Sequence, residues 1–317
     1  MKKLLWFAAL FAAVAASAQE VEKTTFLYAV EGSDSLRVDR YRVQGDRAEP
    51  APCLVFVFGG GFVWGSRDDA SYLPFFEYMA RRGFTVASID YRLGLRAAYE
   101  AGTLDERTFP AAFPASIETA AEDLYSATAY LLAHADEWGI DPRRIVACGS
   151  SAGAITVLQA EYGLCAGAEA ARKLPAEFNY GGVIAFAGAL FAVGDDLAWG
   201  TARTPAPMLL FHGDADRNVP YGAVRAMGAG FFGSEYIAAQ LTEMGVPHAF
   251  YSVANAGHEI AVSPMNENRF EIDSFLEKLV FQRLPLRIDT RIAALDKPDV
   301  PKAFTLGEYI EANFGGR

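Results

Sequence analysis

Five consecutive residues, Gly149-Ser150-Ser151-Ala152-Gly153, match the pattern G-x-S-x-G. They lie between a short apolar run, Ile145 to Cys148, that predicts a strand, and a helical pattern that begins at Ala152. A strand that turns directly into a helix holds the central serine in a strained, exposed conformation at the carboxyl edge of a sheet. The free N–H groups of the helix then face any negative charge that develops there. The pattern therefore predicts that Ser151 is a nucleophile.

A serine hydroxyl needs a base to accept its proton, and the chain contains four histidines. His258 follows the last predicted strand, in a loop from which an imidazole can reach across the sheet edge. We predict that it is the general base. The other three are expected to be structural: His212 shapes the turn after an apolar strand, His248 begins the last strand, and His134 faces outward from a helix.

The third member of such a site orients the imidazole and stabilises its positive charge. Two carboxylates follow the strand that ends at His212. We predict that Asp216, farther along this loop, is the acid, and that Asp214 caps the turn through its own backbone. Asp195 and Asp196 also follow a strand but are expected to lie in a solvated loop. The chain order of nucleophile, acid and base is the order expected on an α/β-hydrolase sheet.

Three glycines open the segment Gly59-Gly60-Gly61-Phe62-Val63-Trp64-Gly65, which directly follows a predicted strand and is called the glycine loop below. Glycine lets backbone N–H groups approach a substrate without a Cβ clash. We therefore predict an oxyanion hole made by the N–H groups of Gly60, Gly61 and Ala152. A phosphate-binding loop is the alternative, but the segment lacks the Gly-Lys-Ser/Thr ending and an acidic residue placed for Mg²⁺.

The apolar and polar periodicities predict the scaffold that positions these residues. Residues 24–43 alternate around a turn, which indicates an antiparallel hairpin. Apolar runs predict buried strands at 53–58, 85–89, 145–148, 182–186, 208–211 and 249–253, and helical patterns cover 73–82, 117–138, 152–159, 235–244 and 268–284. The alternation predicts an α/β fold, with a mostly parallel central sheet, the hairpin at one edge and helices on both faces. One domain, residues 19–284, is expected, with residues 285–317 as a C-terminal extension packed on it and a short helix near 306–313.

Composition excludes several classes of protein. The 317 residues are 52% hydrophobic and 13% aromatic, which excludes a disordered or fibrous chain. Asp and Glu (39) outnumber Lys and Arg (28), and the net charge of −11 argues against binding to nucleic acid or to an anionic membrane. The histidines are scattered and no Cys/His/Asp cluster has ligand spacing, so neither a metal nor a cofactor is predicted.

The N-terminus carries the features of a secretion signal. Lys2 and Lys3 precede an apolar run from Leu4 to Ala16, and Ala16-Ser17-Ala18 is a small-x-small cleavage site. The apolar run is too short to span a bilayer, and no lipid-anchor cysteine follows the cleavage site. We therefore expect residues 1–18 to be a cleaved signal peptide and the protein to be secreted or periplasmic.

Four motifs together resemble those of the α/β-hydrolase esterases: Gly59-Gly-Gly-Phe62, Gly149-x-Ser151-x-Gly153, His212-Gly-x-x-Asp216 and Gly257-His258. The likeness spans residues 24–284 and is strongest to the carboxylesterase and hormone-sensitive-lipase-like branch, including secreted bacterial esterases that act on acylated sugars. It implies that Ser151 attacks an ester carbonyl, that His258 carries the proton to the leaving alcohol and that Asp216 steadies His258. In that branch a histidine that braces the loop usually precedes the glycines, and here Phe58 stands at that position.

The resemblance implies soluble ester substrates, either small molecules or saccharide esters. Phe62 and Trp64 then line the acyl or alcohol side, or they anchor the glycine loop. Two stretches could roof the site, residues 95–116 and 163–180, and neither is a long amphipathic lid that would favour an oil interface. Two alternatives stay open, a serine exopeptidase on the same fold and a non-catalytic hydrolase-fold binding protein. The first typically needs an acidic anchor for an amine, and the second usually lacks the serine or the histidine.

Overall fold

A nine-stranded sheet crosses the molecule and brings the carboxyl ends of its parallel strands to one edge. The structure is a computed structural model that describes residues 20–45, 49–105, 107–226, 228–296, 298–302, 305, 307, 312 and 313. The strands within these residues are β1 (Val21–Glu31), β2 (Asp34–Val43), β3 (Ala51–Val57), β4 (Thr85–Ile89), β5 (Ile140–Ser150), β6 (Gly182–Phe186), β7 (Ala189–Val193), β8 (Met208–Gly213), β9 (Ala223–Ala226), β10 (Ala229–Gly233), β11 (His248–Val253) and β12 (Arg287–Ile292).

The order across the large sheet is β1-β2-β4-β3-β5-β6-β8-β11-β12. β1 and β2 form an antiparallel hairpin, β2 runs antiparallel to β4, and the other neighbours are parallel. Every residue of β4 and β6 is buried, which requires cover on both faces of the sheet. These features confirm the predicted fold class, including the hairpin at one edge.

Helices connect successive strands and supply this cover. In the described part of the chain they are α1 (Leu73–Arg81), α2 (Arg96–Glu100), α3 (Phe109–Ala133), α4 (Ala135–Trp138), α5 (Ala152–Ala166), α6 (Ser234–Glu243), α7 (Pro264–Glu267) and α8 (Arg269–Phe275), with 3₁₀ turns at Glu169–Lys173 and His258–Ala261 and a π-helical turn at Leu276–Phe281. α3 begins eight residues before its predicted start, because Pro110 occupies its first turn, where a missing N–H breaks no helical hydrogen bond.

Two parts of the sheet structure lie outside the predicted strands. β7, β10 and β9 form a small antiparallel sheet, and their four or five residues each are too few for a clear periodicity. β12 lies in the predicted C-terminal extension and pairs in parallel with β11 along its whole length. The extension is therefore part of the central sheet.

The segments predicted to roof the site lie at opposite edges of the sheet. The N–H of Leu95, just before α2, donates to the carbonyl of Phe62 at 3.1 Å, so this segment packs on the glycine loop. Phe178 and Tyr180 instead line a cavity with the first residues of β5, at the amino edge. The second segment therefore does not cover the carboxyl edge.

The two ends of the chain are described only in part. The predicted signal peptide, residues 1–18, and most of the predicted helix near 306–313 lie outside the described residues. Among the residues that are described, no helix is both long and apolar enough to cross a membrane.

Candidate active site

The turn between β5 and α5 holds Ser151 in the strained conformation that its motif predicts, with φ 54° and ψ −118°. Both glycines of the motif are required by close packing. A Cβ atom on Gly149 would lie 2.2 Å from the carbonyl oxygen of Gly153, and one on Gly153 would lie 2.0 Å from that of Val57. Glycine at position 149 therefore lets the end of β5 approach α5, and glycine at position 153 lets α5 approach β3.

The structure brings Ser151, His258 and Asp216 together at the carboxyl edge of the sheet. Ser151 Oγ lies 2.8 Å from His258 Nε2, and His258 Nδ1 lies 2.7 Å from Asp216 Oδ2. The carboxylate can only accept, so Nδ1 carries the proton and Nε2 accepts from the serine hydroxyl. The histidine side chain is 24% exposed and the aspartate side chain is fully buried. This is the arrangement of a serine nucleophile, a base and an orienting acid.

Asp216 is surrounded by donors. Its Oδ1 accepts from the backbone N–H groups of Asn218 at 2.7 Å and Val219 at 3.0 Å. Its Oδ2 faces His258 and, at 3.4 Å, the Nε2 of His212. Burial alone raises the pKa of Asp216, but the two imidazoles outweigh it and hold this pKa well below the ordinary value of 3.8. The carboxylate is therefore ionised at neutral pH and can stabilise an imidazolium.

Asp214 does not cap its own turn, contrary to the prediction. Its Oδ1 accepts from the N–H of Asn255 at 2.7 Å, in the loop that leads to His258. Its Oδ2 lies 2.8 Å from Lys302 Nζ and 3.4 Å from Arg291. The turn is capped instead by Asp216, whose position two residues before Asn218 suits the Asx geometry.

The described residues after 297, called the C-terminal tail below, contact the loops that carry Asp216 and His258. Asn255 donates from Nδ2 to Asp299 Oδ1 at 3.2 Å and accepts from the N–H of Val300 at 3.3 Å. Asn313 donates from Nδ2 to the carbonyl of Asn218 at 3.1 Å. Together with Lys302, these contacts hold the two loops against the end of the chain.

The glycine loop lies directly beside the nucleophile. A Cβ atom on Gly59 would lie 3.1 Å from the Cβ of Ser151. Gly60 has φ 132°, and a Cβ there would lie 2.2 Å from the carbonyl oxygen of Trp64, so only glycine fits this turn. The N–H of Ala152 lies in the first turn of α5, where the helix supplies no acceptor. The role of Gly60, Gly61 and Ala152 as oxyanion donors stays a prediction that this placement favours.

Two tyrosines brace the loop at the position where the resembling esterases usually carry histidine. Tyr91 donates its hydroxyl to the carbonyl of Phe58 at 3.0 Å, and their rings lie 4.6 Å apart. The N–H of Gly59 donates to the hydroxyl of Tyr72 at 3.1 Å. Neither tyrosine is adjacent to the glycines in sequence, so the motif alone did not reveal them.

The structure contradicts the prediction that Phe62 lines the substrate site. Its side chain is fully buried and packs edge-on against Tyr91 and Phe113, because an apolar ring gains more in the core than at an open edge. Phe62 therefore anchors the loop. Trp64 is 45% exposed and lies edge-on to Tyr99 of α2 at 4.8 Å, so its predicted contact with substrate stays open to test.

Ser150, the neighbour of the nucleophile, is a site residue that the sequence analysis missed. It is buried and donates its hydroxyl to the carbonyl of Ala261 at 2.8 Å. The 3₁₀ turn that begins with His258 is thereby tied to the elbow that carries the nucleophile. The motif allows any residue at this position, so its pattern holds no signal for the contact.

Asp196, His134 and His248 make their contacts away from Ser151, His258 and Asp216. Asp196 accepts from the hydroxyl of Tyr236 at 2.6 Å near the small sheet. His134 lies 2.8 Å from Glu137 on the surface, and His248 is buried with its Nδ1 2.8 Å from the carbonyl of Val246. Across the described ranges, no group of three or more His, Cys, Asp or Glu side chains is placed to hold a metal ion.

Comparison with known proteins links this geometry to esterases. The BD-FAE family model matches residues 38–164, which include the glycine loop and the elbow. The chain is 31% identical over 117 residues to Gut esterase 1 of Caenorhabditis elegans, covering 37% of this chain and 19% of that protein. It is 31% identical over 116 residues to Esterase LipC of Mycobacterium tuberculosis, covering 37% of this chain and 24% of that protein. The aligned part thus spans about a fifth to a quarter of these curated relatives.

Solved structures establish the fold over most of the chain. The propionate-bound thermophilic esterase of Thermogutta terrifontis superposes with a TM-score of 0.58 at 22% identity, covering 84% of this chain and 96% of that one. The same organism's esterase 2 phosphorylated by paraoxon gives a TM-score of 0.56 at 22% identity, covering 80% and 94%. We conclude that the chain has an α/β-hydrolase fold and that part of its sequence is similar to esterases.

Proposed function

We propose that the protein is a secreted serine esterase that hydrolyses soluble carboxylic esters through an acyl-enzyme. The observation that carries this proposal is the pair of short contacts that His258 makes, at 2.8 Å to Ser151 Oγ and at 2.7 Å to Asp216 Oδ2. The match of the BD-FAE family model to residues 38–164 and the 31% identity to Gut esterase 1 over 117 residues support it.

The proposed reaction follows from the proton positions. Ser151 Oγ attacks the ester carbonyl carbon while its proton passes to His258 Nε2, and the N–H groups of Gly60, Gly61 and Ala152 bind the oxyanion. The intermediate collapses as His258 gives that proton to the leaving alcohol. Water then attacks the acyl-enzyme, losing a proton to His258, which returns it to the serine oxygen as the carboxylic acid leaves. Asp216 stays ionised throughout and stabilises the imidazolium.

A polar cavity lies next to the glycine loop and favours substrates whose alcohol part carries several hydroxyl groups, as in a sugar. It has a volume of about 370 Å³ and touches the loop at Gly65. Asp34, Arg96 and Glu100 are among its lining residues. Hydroxyl groups can bond to such side chains, whereas an alkyl chain would remove their hydration without replacing it. Short acyl groups on sugars are therefore the proposed natural esters.

Turnover of p-nitrophenyl esters from acetate to octanoate tests the nucleophile. Ser151→Ala should lower kcat by about 10⁶-fold, to the limit of the assay. The matched control is Ser126→Ala, since that hydroxyl donates within its own helix to the carbonyl of Glu122, and it should leave turnover unchanged. Activity retained in Ser151→Ala would exclude this nucleophile.

A second assay tests the alcohol. The kcat/KM for acetylated xylose should exceed that for hexyl acetate. Glu100→Gln should lower the ratio of these two values, because it replaces a charged acceptor in the cavity. A higher kcat/KM for hexyl acetate, unaffected by this substitution, would contradict the sugar-ester proposal.

Secretion rests on residues 1–18, which carry the proposed signal peptide. Expression of the full chain in a bacterium should yield a periplasmic or extracellular protein whose N-terminus, read by mass spectrometry, is Gln19. A cytoplasmic protein that retains Met1 would contradict this part of the proposal.

A further inference from the structure

His212 is a buried histidine that touches the triad without belonging to it. Its side chain is fully buried at the end of β8. Nε2 lies 3.2 Å from the carbonyl oxygen of Val219 and 3.4 Å from Asp216 Oδ2, the same oxygen that His258 contacts. Nδ1 lies 2.8 Å from Ser234 Oγ. The ring is therefore held at both nitrogens.

The neighbours of His212 decide where its proton lies. Both groups near Nε2 are acceptors, so Nε2 carries a hydrogen. This N–H group bonds to the Val219 carbonyl and also attracts the nearby carboxylate of Asp216. Ser234 can donate its hydroxyl to Nδ1, and its Oγ also lies 3.2 Å from the carbonyl of Gly188. A neutral imidazole therefore satisfies the contacts at both nitrogens while keeping its Nε2–H group 3.4 Å from the carboxylate oxygen.

We propose that His212 is a positioning residue of the proposed esterase: its N–H orients Asp216 Oδ2 and shares that oxygen's charge with His258. Asp216 then accepts from three donors, two backbone N–H groups on Oδ1 and His258 on Oδ2, and His212 adds an electrostatic contact to Oδ2 at 3.4 Å. The lowered pKa of Asp216 fits this arrangement, because the two imidazoles together outweigh its burial. The inference rests on the proposed function for its effect on turnover, but not for its effect on His258.

The titratable groups around His212 are few among its described contacts. Asp216 is one, and the ring of Tyr221 lies edge-on at 5.7 Å. Ser234 of α6 and Ser252 of β11, which is the register partner of His212, do not titrate near neutral pH. Removal of His212 therefore changes chiefly the field at Asp216, and through it the proton affinity of the neighbouring imidazole.

The test compares His212→Phe, which fills the space without a donor, with His212→Gln, whose Nε2 can replace the lost N–H. We expect the first to lower kcat/KM roughly 10- to 100-fold, the range for removing one buried donor. We also expect the acid limb of its pH profile of kcat/KM to move to higher pH. Without His212, more of the negative charge of Asp216 acts on His258 and holds its proton more strongly. Gln should restore both properties toward the wild type.

A second readout does not depend on turnover. Histidine ¹⁵N NMR titration, with His258→Gln used to assign that resonance, should show His258 gaining its proton at higher pH in His212→Phe than in the wild type. If this shift occurs in a protein that hydrolyses no ester, the proposed function fails and the inference stands. If esters are hydrolysed and neither the NMR titration nor the acid limb moves, His212 is merely structural and the inference is overturned. If His212→Phe does not fold, His212→Leu takes its place.

Discussion

Asp214 and Asp216 are two residues apart on one loop, and both are almost fully buried, at 7% and 4% exposure. Their partners differ in kind. Asp216 meets two imidazoles, of which His258 gains and loses a charge in the proposed reaction, whereas Asp214 meets a backbone N–H and the permanent cations of Lys302 and Arg291. The environment of Asp216 suits a residue that stabilises a charge formed during a reaction, and that of Asp214 suits a residue that holds a loop in place. Burial alone therefore does not distinguish the candidate acid, Asp216, from the structural carboxylate, Asp214.

The largest expected effect that separates the two positions is on turnover. Asp216→Asn should lower kcat by roughly 10⁴-fold, because the amide N–H favours the tautomer in which Nε2 of His258 is protonated and cannot accept from Ser151. Steady-state kinetics on p-nitrophenyl acetate measure it. Asp214→Asn is the matched control and should stay within a fewfold of the wild type. A collapse in the second variant and not in the first would reverse the assignment of the acid.

The next effect is on stability. Asp214→Ala should lower the free energy of unfolding by about 1–3 kcal/mol, because it leaves the N–H of Asn255 without its acceptor. Urea denaturation measures the loss. Asp214→Asn, which can keep that acceptor, should lose less than Asp214→Ala. Equal losses would mean that charge, and not the hydrogen bond to the histidine loop, sets the contribution of this residue.

The contribution of Asp216 to the free energy of unfolding should depend on pH in the acid range. Its pKa in the folded state lies below the ordinary value of 3.8, so its ionised form stabilises the fold above that pH. This contribution is lost as the pH falls below 3.8 toward the folded-state pKa. The difference in unfolding free energy between the wild type and Asp216→Asn should therefore shrink from pH 6 to pH 2.5. A difference that stays constant would contradict the lowered pKa.

The smallest effect concerns the tail. Lys302→Gln removes the 2.8 Å ion pair with Asp214, but the lysine side chain is 38% exposed, so solvent weakens the pair. We expect a loss of less than about 1 kcal/mol that disappears in high salt, with kcat unchanged. Urea denaturation at two ionic strengths checks this. A loss that persists in high salt would show that the tail acts through packing instead.

The elbow and the triad could be predicted because their chemistry is encoded in short segments. Gly149 is needed for the local approach of the elbow to α5 and Gly153 for the approach of α5 to β3, and each member of the candidate triad follows the end of a strand. The orientation of Phe62 could not be predicted in the same way. Its loop has an open and a buried side, and only contact with Tyr91 and Phe113 selects the buried one.

The amino-acid sequence by itself determined the alternating strands and helices, the elbow, and the candidates for nucleophile, acid and base, since these depend on residue type and on spacing within a few turns of chain. Only the tertiary structure decided that Asp214 binds the loop of Asn255 and that His212 lies against the carboxylate of Asp216. It also decided that Ser150 and the C-terminal tail contact the segments that carry His258 and Asp216. Except for His212 and Asp216, which are four residues apart, these contacts join residues far apart in sequence. Their partners are set by how the strand ends meet at one edge of the sheet and not by any local pattern.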